Sequence, residues 1–166
     1  MGGDFTEAGG QPALRVAKWD GTQWSALGTG CDARVSALEV DASGVWAGGS
    51  FLNSGGTSTA RIAKWDGAAW QAAGTGMNRE VFALASSGGR LWAGGRFSLA
   101  GDSEAERVAT WEGSRWDAVG AGLNSWATVV AVNPETGDVV AGGNFVKAGG
   151  RGANRVARWD GARWQS

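Results

Sequence analysis

Three tryptophans and three short polar side chains recur at the same spacing, and together they are suited to holding a small ligand. Both sets repeat every 46 residues, and each polar residue lies eight positions after a tryptophan: Trp24, Trp70 and Trp116, with Asp32, Asn78 and Asn124. An indole ring can stack on a sugar, and an amide or carboxylate can hydrogen-bond its hydroxyls. The pattern therefore predicts carbohydrate binding as one option. Burial of the same tryptophans in a core is the other option.

Several kinds of catalytic site are excluded by residue type. The 166 residues contain no His and one Cys, which excludes Ser-His-Asp, Cys-His and His-metal sites as well as an intrachain disulfide. Cys31 stands where the other repeats have Met77 and Leu123, a pattern that predicts apolar packing rather than a reactive thiol. We predict a non-enzymatic protein with no catalytic, cofactor-binding or metal-binding residues.

The acidic residues favour structural roles over a carboxylate site. One acid per repeat falls in a predicted turn, namely Asp20, Asp66, Glu112 and Asp160. Acids on different units should not pair at the ~5–10 Å that glycoside hydrolysis needs. The remaining candidates do not alternate as in a calcium loop: Asp4, Glu7, Asp102 and Glu104. The segments GTG and GAG do not continue into a dinucleotide-binding fingerprint.

An arginine also recurs in every repeat, at the start of a predicted strand. The four positions are Arg15, Arg61, Arg107 and Arg155. We predict that these side chains have a structural role, by a cation–π contact with an indole or by bonding a turn. A site for an anion or a partner is the alternative.

Composition and charge narrow the class of partner. The chain has 30 Gly, 11 Trp and a net charge of -1, and its 15 basic residues are scattered singly. No basic patch predicts nucleic-acid binding, and no apolar run approaches the ~20 residues of a membrane span. The first residues, MGGDFTEAGG, do not have the pattern of a signal peptide. The compartment is left open, and an extracellular or cell-surface bacterial parent protein is compatible with the sequence.

The dominant feature of the sequence is an internal repeat of 46–48 residues. The segment RVAKWDGTQW returns as RIAKWDGAAW, RVATWEGSRW and RVARWDGARW. A Gly-Gly-x-Phe motif keeps the same spacing, and its phenylalanines are Phe5, Phe51, Phe97 and Phe145. The length of the chain corresponds to about 3.6 such units.

Each repeat predicts four short strands and no helix. Strand a is VSALEV, strand b is VWAGGSF, a looser Gly-rich connection leads to strand c, RIAKW, and strand d is AWQAAG. An Asp-Gly pair predicts a two-residue hairpin between strands c and d, with positive φ at both residues. In the first repeat Trp19 should then pair with Thr22 and Ala17 with Trp24, which makes the two indoles diagonal neighbours on one face.

Four-stranded units of this length predict an all-β fold, a β-propeller built of four-stranded antiparallel blades. The stretch ALASSGGRLWAGGRF…RVATWEGSRW resembles the kelch pattern. It is more similar to the Gly-Gly-x-Phe and Trp-Asp-Gly propeller repeats of large bacterial surface and secreted proteins. Kelch repeats usually carry Tyr before the acid, whereas this chain has Trp there and no Tyr. The resemblance implies the fold and is nearly silent on function.

The predicted blades do not form a whole number. One incomplete blade covers residues 1–28, and complete blades cover 35–74, 81–120 and 127–166, so the first blade lacks its strand a. We predict a scaffold or recognition module completed by homo-oligomerisation, with a dimeric ring favoured. A monomer of four blades, a larger assembly, or a natural or engineered fragment of a longer ring are the alternatives. The other candidate function is a multivalent lectin.

Overall fold

The computed structural model describes residues 1–166, which form 22 β-strands and no helix. The first half of the chain contains β1 (Glu7–Ala8), β2 (Gln11–Pro12), β3 (Ala17–Trp19), β4 (Trp24–Ala26), β5 (Val35–Asp41), β6 (Gly44–Gly49), β7 (Asn53–Ser54), β8 (Thr57–Ser58), β9 (Ile62–Trp65) and β10 (Trp70–Ala72). The second half contains β11 (Val81–Ser87), β12 (Arg90–Gly95), β13 (Leu99–Ala100), β14 (Ser103–Glu104), β15 (Val108–Trp111), β16 (Trp116–Ala118), β17 (Ala127–Val132), β18 (Val139–Gly143), β19 (Lys147–Ala148), β20 (Arg151–Gly152), β21 (Val156–Trp159) and β22 (Trp164–Gln165). No helix is present that could cross a membrane.

Fourteen of the strands form four successive antiparallel sheets, which we number from the N-terminus. Sheet 1 contains only β3 and β4. The other sheets have four strands each: sheet 2 is β5-β6-β9-β10, sheet 3 is β11-β12-β15-β16, and sheet 4 is β17-β18-β21-β22. The prediction of an all-β chain with four-stranded antiparallel sheets is confirmed. This arrangement is compatible with a propeller-like repeat fold.

The hairpin that contains the Asp-Gly pair has a different register from the predicted one. Trp19 pairs directly with Trp24, and Ala17 with Ala26, so the loop has four residues instead of two. Asp20 Oδ1 accepts the backbone N–H of Thr22 and of Gln23, each at 2.8 Å, and this side-chain turn widens the loop. Only the glycine has positive φ, 105° at Gly21. The prediction of diagonal indoles was therefore wrong. The two rings lie side by side, with centroids 5.3 Å apart.

The connection between strands b and c, predicted as a loose loop, contains a second small hairpin in every repeat. These hairpins are β1–β2, β7–β8, β13–β14 and β19–β20. Each begins its turn with a glycine at positive φ that lies against the strand-d tryptophan of its own unit. A Cβ at Gly55 would lie 3.0 Å from Trp70 Cδ1, so a larger residue cannot be accommodated without displacing the indole.

The core consists of three apolar clusters, each lying between two successive sheets. Between sheets 2 and 3, Trp46 and Ile62 meet Leu84 and Trp111. Equivalent clusters join sheet 1 to sheet 2 and sheet 3 to sheet 4, whereas a small fourth cluster belongs to the first unit alone. No cluster joins sheet 4 to sheet 1. The sheets therefore stack in chain order, and both ends of the stack are open.

Candidate functional site

The strand-d tryptophans bond one sheet to the sheet before it. Trp70 Nε1 donates to Leu27 O, Trp116 Nε1 to Ala73 O and Trp164 Nε1 to Val119 O, all at 2.9 Å. All three indoles are buried. Trp24 occupies the same position in sheet 1, which has no preceding sheet, and this ring is only half buried. Of the three tryptophans predicted to stack on a sugar, Trp70 and Trp116 are thus covered by protein.

The polar residues of the predicted carbohydrate site join each loop to the next repeat. Asn78 Oδ1 accepts the backbone N–H groups of Ser98 and Leu99 at 3.0 Å, and Asn124 Oδ1 does the same with Val146 and Lys147. These oxygens hold the loop after strand d against the small hairpin of the next unit. They lie 20–23 residues from their partners in sequence. These hydrogen bonds join successive units.

Asp32 plays the same part in the first repeat, as a carboxylate. It accepts the Leu52 N–H at 2.8 Å and the Asn53 side-chain amide at 2.7 Å. Partial burial raises the pKa of the Asp32 carboxyl, but the hydrogen bonds from Asn53 and Leu52 outweigh burial and leave this pKa below its ordinary value. Asp32 is therefore charged at neutral pH and already engaged by the protein.

Three of the four recurring arginines, Arg15, Arg61 and Arg107, bond a loop carbonyl, as one of the predicted structural roles requires. Arg15 Nη1 donates to Cys31 O at 3.0 Å, and Arg61 Nη1 donates to Met77 O at 2.9 Å. Their backbones have positive φ, 65° at Arg15 and 75° at Arg61, a conformation that is costly for residues other than glycine. No cation–π contact joins them to an indole. The two cation–π pairs in the structure are Lys64 with Trp46 and Arg96 with Trp126.

The three turn aspartates are likewise occupied by their own backbone, whereas Glu112 forms an ion pair with Arg90 at 2.8 Å. Asp66 and Asp160 repeat the bonding of Asp20, each accepting two backbone N–H groups through Oδ1. Backbone hydrogen bonds from Gln23 and Thr22 lower the pKa of Asp20 to about 2.

Cys31 is buried, its Sγ lies 3.3 Å from Ser54 Oγ, and burial raises the pKa of its thiol. Nowhere do three or more His, Cys, Asp or Glu residues gather into a group that could hold a metal ion.

The two open ends carry the largest exposed apolar side chains that are buried elsewhere in the repeat. Val156 in sheet 4 is 56% exposed, whereas its counterparts Ile62 and Val108 are fully buried. At the other end Trp19 in sheet 1 is 49% exposed, whereas its counterpart Trp111 is 9% exposed. We call these the sheet 4 face (Val129, Val140 and Val156) and the sheet 1 face (Trp19 and Trp24).

One cluster was not found by the sequence analysis. Arg96 lies over the ring of Trp126, 4.4 Å from its centroid, and Phe82 meets the same indole edge-on at 6.4 Å. The three residues come from sheets 3 and 4 and occur once each. A signal was present, because Trp126 stands where the earlier repeats have Arg34 and Glu80. The signal was missed because Trp126 does not recur in the other repeats.

No protein-family model matches the chain, and no curated protein sequence matches it significantly.

Proposed function

We propose that this protein is a non-catalytic β-propeller repeat module that serves as a scaffold or recognition surface, and that a second copy of the chain completes its ring. The proposal rests on one observation above all: successive sheets meet through apolar clusters at three junctions inside the chain, and apolar side chains on the outer faces of sheet 4 and sheet 1 are left exposed. In the proposed ring the outer face of sheet 4 packs on sheet 1 of a second copy.

The chemistry of the two faces supports head-to-tail contact. In each interior junction, a β-branched residue on strand c of one sheet packs beneath the strand-a and strand-d residues of the next. The sheet 4 face presents one valine of this kind, Val156 on strand c, together with Val129 on strand a and Val140 on strand b. The sheet 1 face presents two indoles, although sheet 1 lacks both strand a and strand b. Burying a valine side chain contributes roughly 1.5–3 kcal/mol, and soluble proteins rarely leave such surfaces uncovered. Two copies related by a two-fold axis would cover both ends at once.

A role in recognition or support fits the chemistry of the recurring polar residues better than catalysis does. Three turn aspartates, the loop amides and three of the four arginines bond backbone groups of the repeat framework. A catalytic site needs titratable groups that converge on one point. Here the repeat distributes them one per unit.

The experiment that tests this proposal is the mass in solution by light scattering after size exclusion. We expect a value near twice the chain mass of 17.0 kDa. Val156→Arg should shift the mass to that of one chain, because a guanidinium would be buried in the new junction. Val146→Arg is the matched control. Val146 is also an exposed valine, but its counterpart Leu52 is exposed at an interior junction, so this position lies outside the contact. A mass of 17.0 kDa for the unaltered chain over about a hundredfold range of concentration would refute the ring.

Carbohydrate binding is the second candidate function, and one observation favours it at a single position. Trp24 is partly exposed and its indole N–H lacks the acceptor that the other three have. A sugar that stacks on this ring could supply that acceptor. The multivalent form of the hypothesis would also need Trp70 and Trp116, whose rings are buried.

A further inference from the structure

A groove of about 680 Å³ lies between sheet 1 and sheet 2. Its walls are mainly apolar, and Val16, Trp19 and Leu27 of the first unit face Leu38, Val40 and Trp65 of the second. Val40 is 70% exposed, the highest value for a large apolar residue in the chain. Val40 and the groove are exposed because sheet 1 has two strands where the other sheets have four.

The inner edge of sheet 1 has free backbone groups along the groove. Strand β3 pairs with β4 on one side. On the other side Ala17 exchanges hydrogen bonds with Met1, and Val16 forms a bridge with Gly2. Beyond them, the main chain of Trp19 has no partner on this edge. In sheet 2 the equivalent residue, Trp65, pairs with Val45 of β6. An unpaired strand edge of this kind is a template for an added strand.

The complete sheets indicate which side chains an added strand should carry. In sheet 2 the residue after Val45 is Trp46, which is buried in the cluster that contains Leu84 of sheet 3. Lys64 Nζ lies 5.6 Å from the centroid of the Trp46 ring. In the groove, Leu38 holds the place of Leu84 and Lys18 holds the place of Lys64. An aromatic side chain on the added strand would therefore find both of its usual neighbours.

We propose that this groove is a docking site for a β-hairpin of the β5–β6 type, supplied by a partner polypeptide and carrying an aromatic residue that packs between Lys18 and Leu38. A second copy of the chain has no such hairpin to spare, because β5–β6, β11–β12 and β17–β18 are all hydrogen-bonded within their own sheets. Head-to-tail contact also covers the end faces without adding strands to sheet 1. The docking site is thus distinct from the contact that would close a ring.

The probe that tests the site is a labelled peptide with the sequence of residues 35–46, VSALEVDASGVW, which ends at the position that precedes Met1 in the repeat. We expect saturable binding by fluorescence anisotropy. The same peptide with Gly in place of its final Trp should bind at least about tenfold more weakly, because the aromatic contact with Lys18 and Leu38 is lost.

Two variants of the protein locate the peptide. In the complete sheets the counterpart of Val40 is Ser86, which donates to Glu39 of the preceding sheet, so the glutamate of the probe should lie beside Val40. Val40→Glu should therefore weaken binding by about tenfold or more, because two carboxylates would be buried side by side. Val40 is exposed in the free chain, so this variant should fold. Val140→Glu is the matched control at another exposed valine, on the sheet 4 face, and it should leave binding unchanged. Loss of binding in Val140→Glu but not in Val40→Glu would overturn the proposal, because the peptide would then dock at the open end. Absence of saturable binding would overturn it as well.

A covalent version gives a second measurement. Fusing the same twelve residues in front of Met1 should raise the midpoint of thermal unfolding, and a scrambled sequence should not. Equal midpoints for the two fusions would count against the docking site. The outcomes are separable from the test of the ring, because peptide binding is measured by anisotropy and the ring by mass. A monomer that binds the peptide would refute the ring alone, and a dimer that does not bind it would refute the docking site alone.

Discussion

Replacing Trp116 by Phe tests whether the strand-d indoles fasten one sheet to the next. Trp116 is 2% exposed, and its Nε1 donates to Ala73 O, on a residue that is itself buried. Phe keeps an apolar ring at this position and removes the donor. The carbonyl of Ala73 would then be left in the junction between sheets 2 and 3 without its partner.

The magnitude follows from two contributions. A buried carbonyl left unpaired costs ~1–3 kcal/mol. The space left by the smaller ring in a close-packed junction adds ~1 kcal/mol. We expect the free energy of unfolding to fall by about 2–4 kcal/mol, and the unfolding midpoint to fall by about 4–16 °C for a chain of this length.

The same substitution at Trp24 is the matched control, because Trp24 has the same place in the repeat and no preceding sheet. It should cost less than about 1 kcal/mol, since no buried carbonyl loses a donor. Circular dichroism during urea and thermal unfolding measures both variants without relying on the eleven tryptophans for signal. Equal losses for the two variants would refute the reasoning, because the effect would then come from ring size and not from the bond between sheets.

Three further results are expected. The pKa of Asp20 is lowered to about 2, so its contribution to stability is complete above the unfolded value of ~3.9 and is lost as the pH falls from there toward 2. Urea unfolding of Asp20→Asn should therefore depend less on pH in this range. Asp20→Ala should have a lower free energy of unfolding than the unaltered chain at both pH 2 and pH 4, because it loses the hydrogen bonds of the turn. Asn78→Ala should destabilise the chain by ~1–2 kcal/mol through two lost backbone partners, whereas Asn78→Asp, which imitates Asp32, should cost less in the same unfolding assay; equal costs would mean that the acceptor oxygen does not matter. Calorimetric titration with monosaccharides at millimolar concentration should give heat that disappears in Trp24→Phe if the carbohydrate hypothesis is correct, and no heat with the unaltered chain would contradict it.

The strands were predictable because their evidence is local. Alternating apolar residues in VSALEV and the Gly-Gly end of strand b predict short strands at any point of the repeat. The register of the Asp-Gly hairpin was not predictable in the same way. The carboxylate of Asp20 accepts two backbone N–H groups, and a tight two-residue turn would not place these groups within its reach. The side chain therefore competes with the backbone pairing and favours the four-residue loop. The small hairpin had a usable signal in pairs such as Gly55-Gly56, both with positive φ.

The candidate site was less predictable, because its properties depend on how sheets stack. Spacing identified Trp70 and Asn78 as recurring partners of a loop. It did not reveal that the preceding sheet covers the indole or that the amide bonds the backbone of Ser98. The sequence predicts that the first unit lacks a strand. Its physical form, a groove beside a free strand edge, needed the positions of Val40 and Trp19.

The indole bonds also bear on how such a chain can grow. At each junction between sheets, which we call a seam, the donor is the indole N–H of a strand-d tryptophan. The acceptor is a main-chain oxygen, carried by Leu27, by Ala73 and by Val119. A main-chain acceptor makes no demand on the identity of the residue that bears it. Duplicating or deleting one whole unit of the gene would therefore leave every remaining seam chemically intact. Units can be exchanged as interchangeable modules while their outward loops diverge.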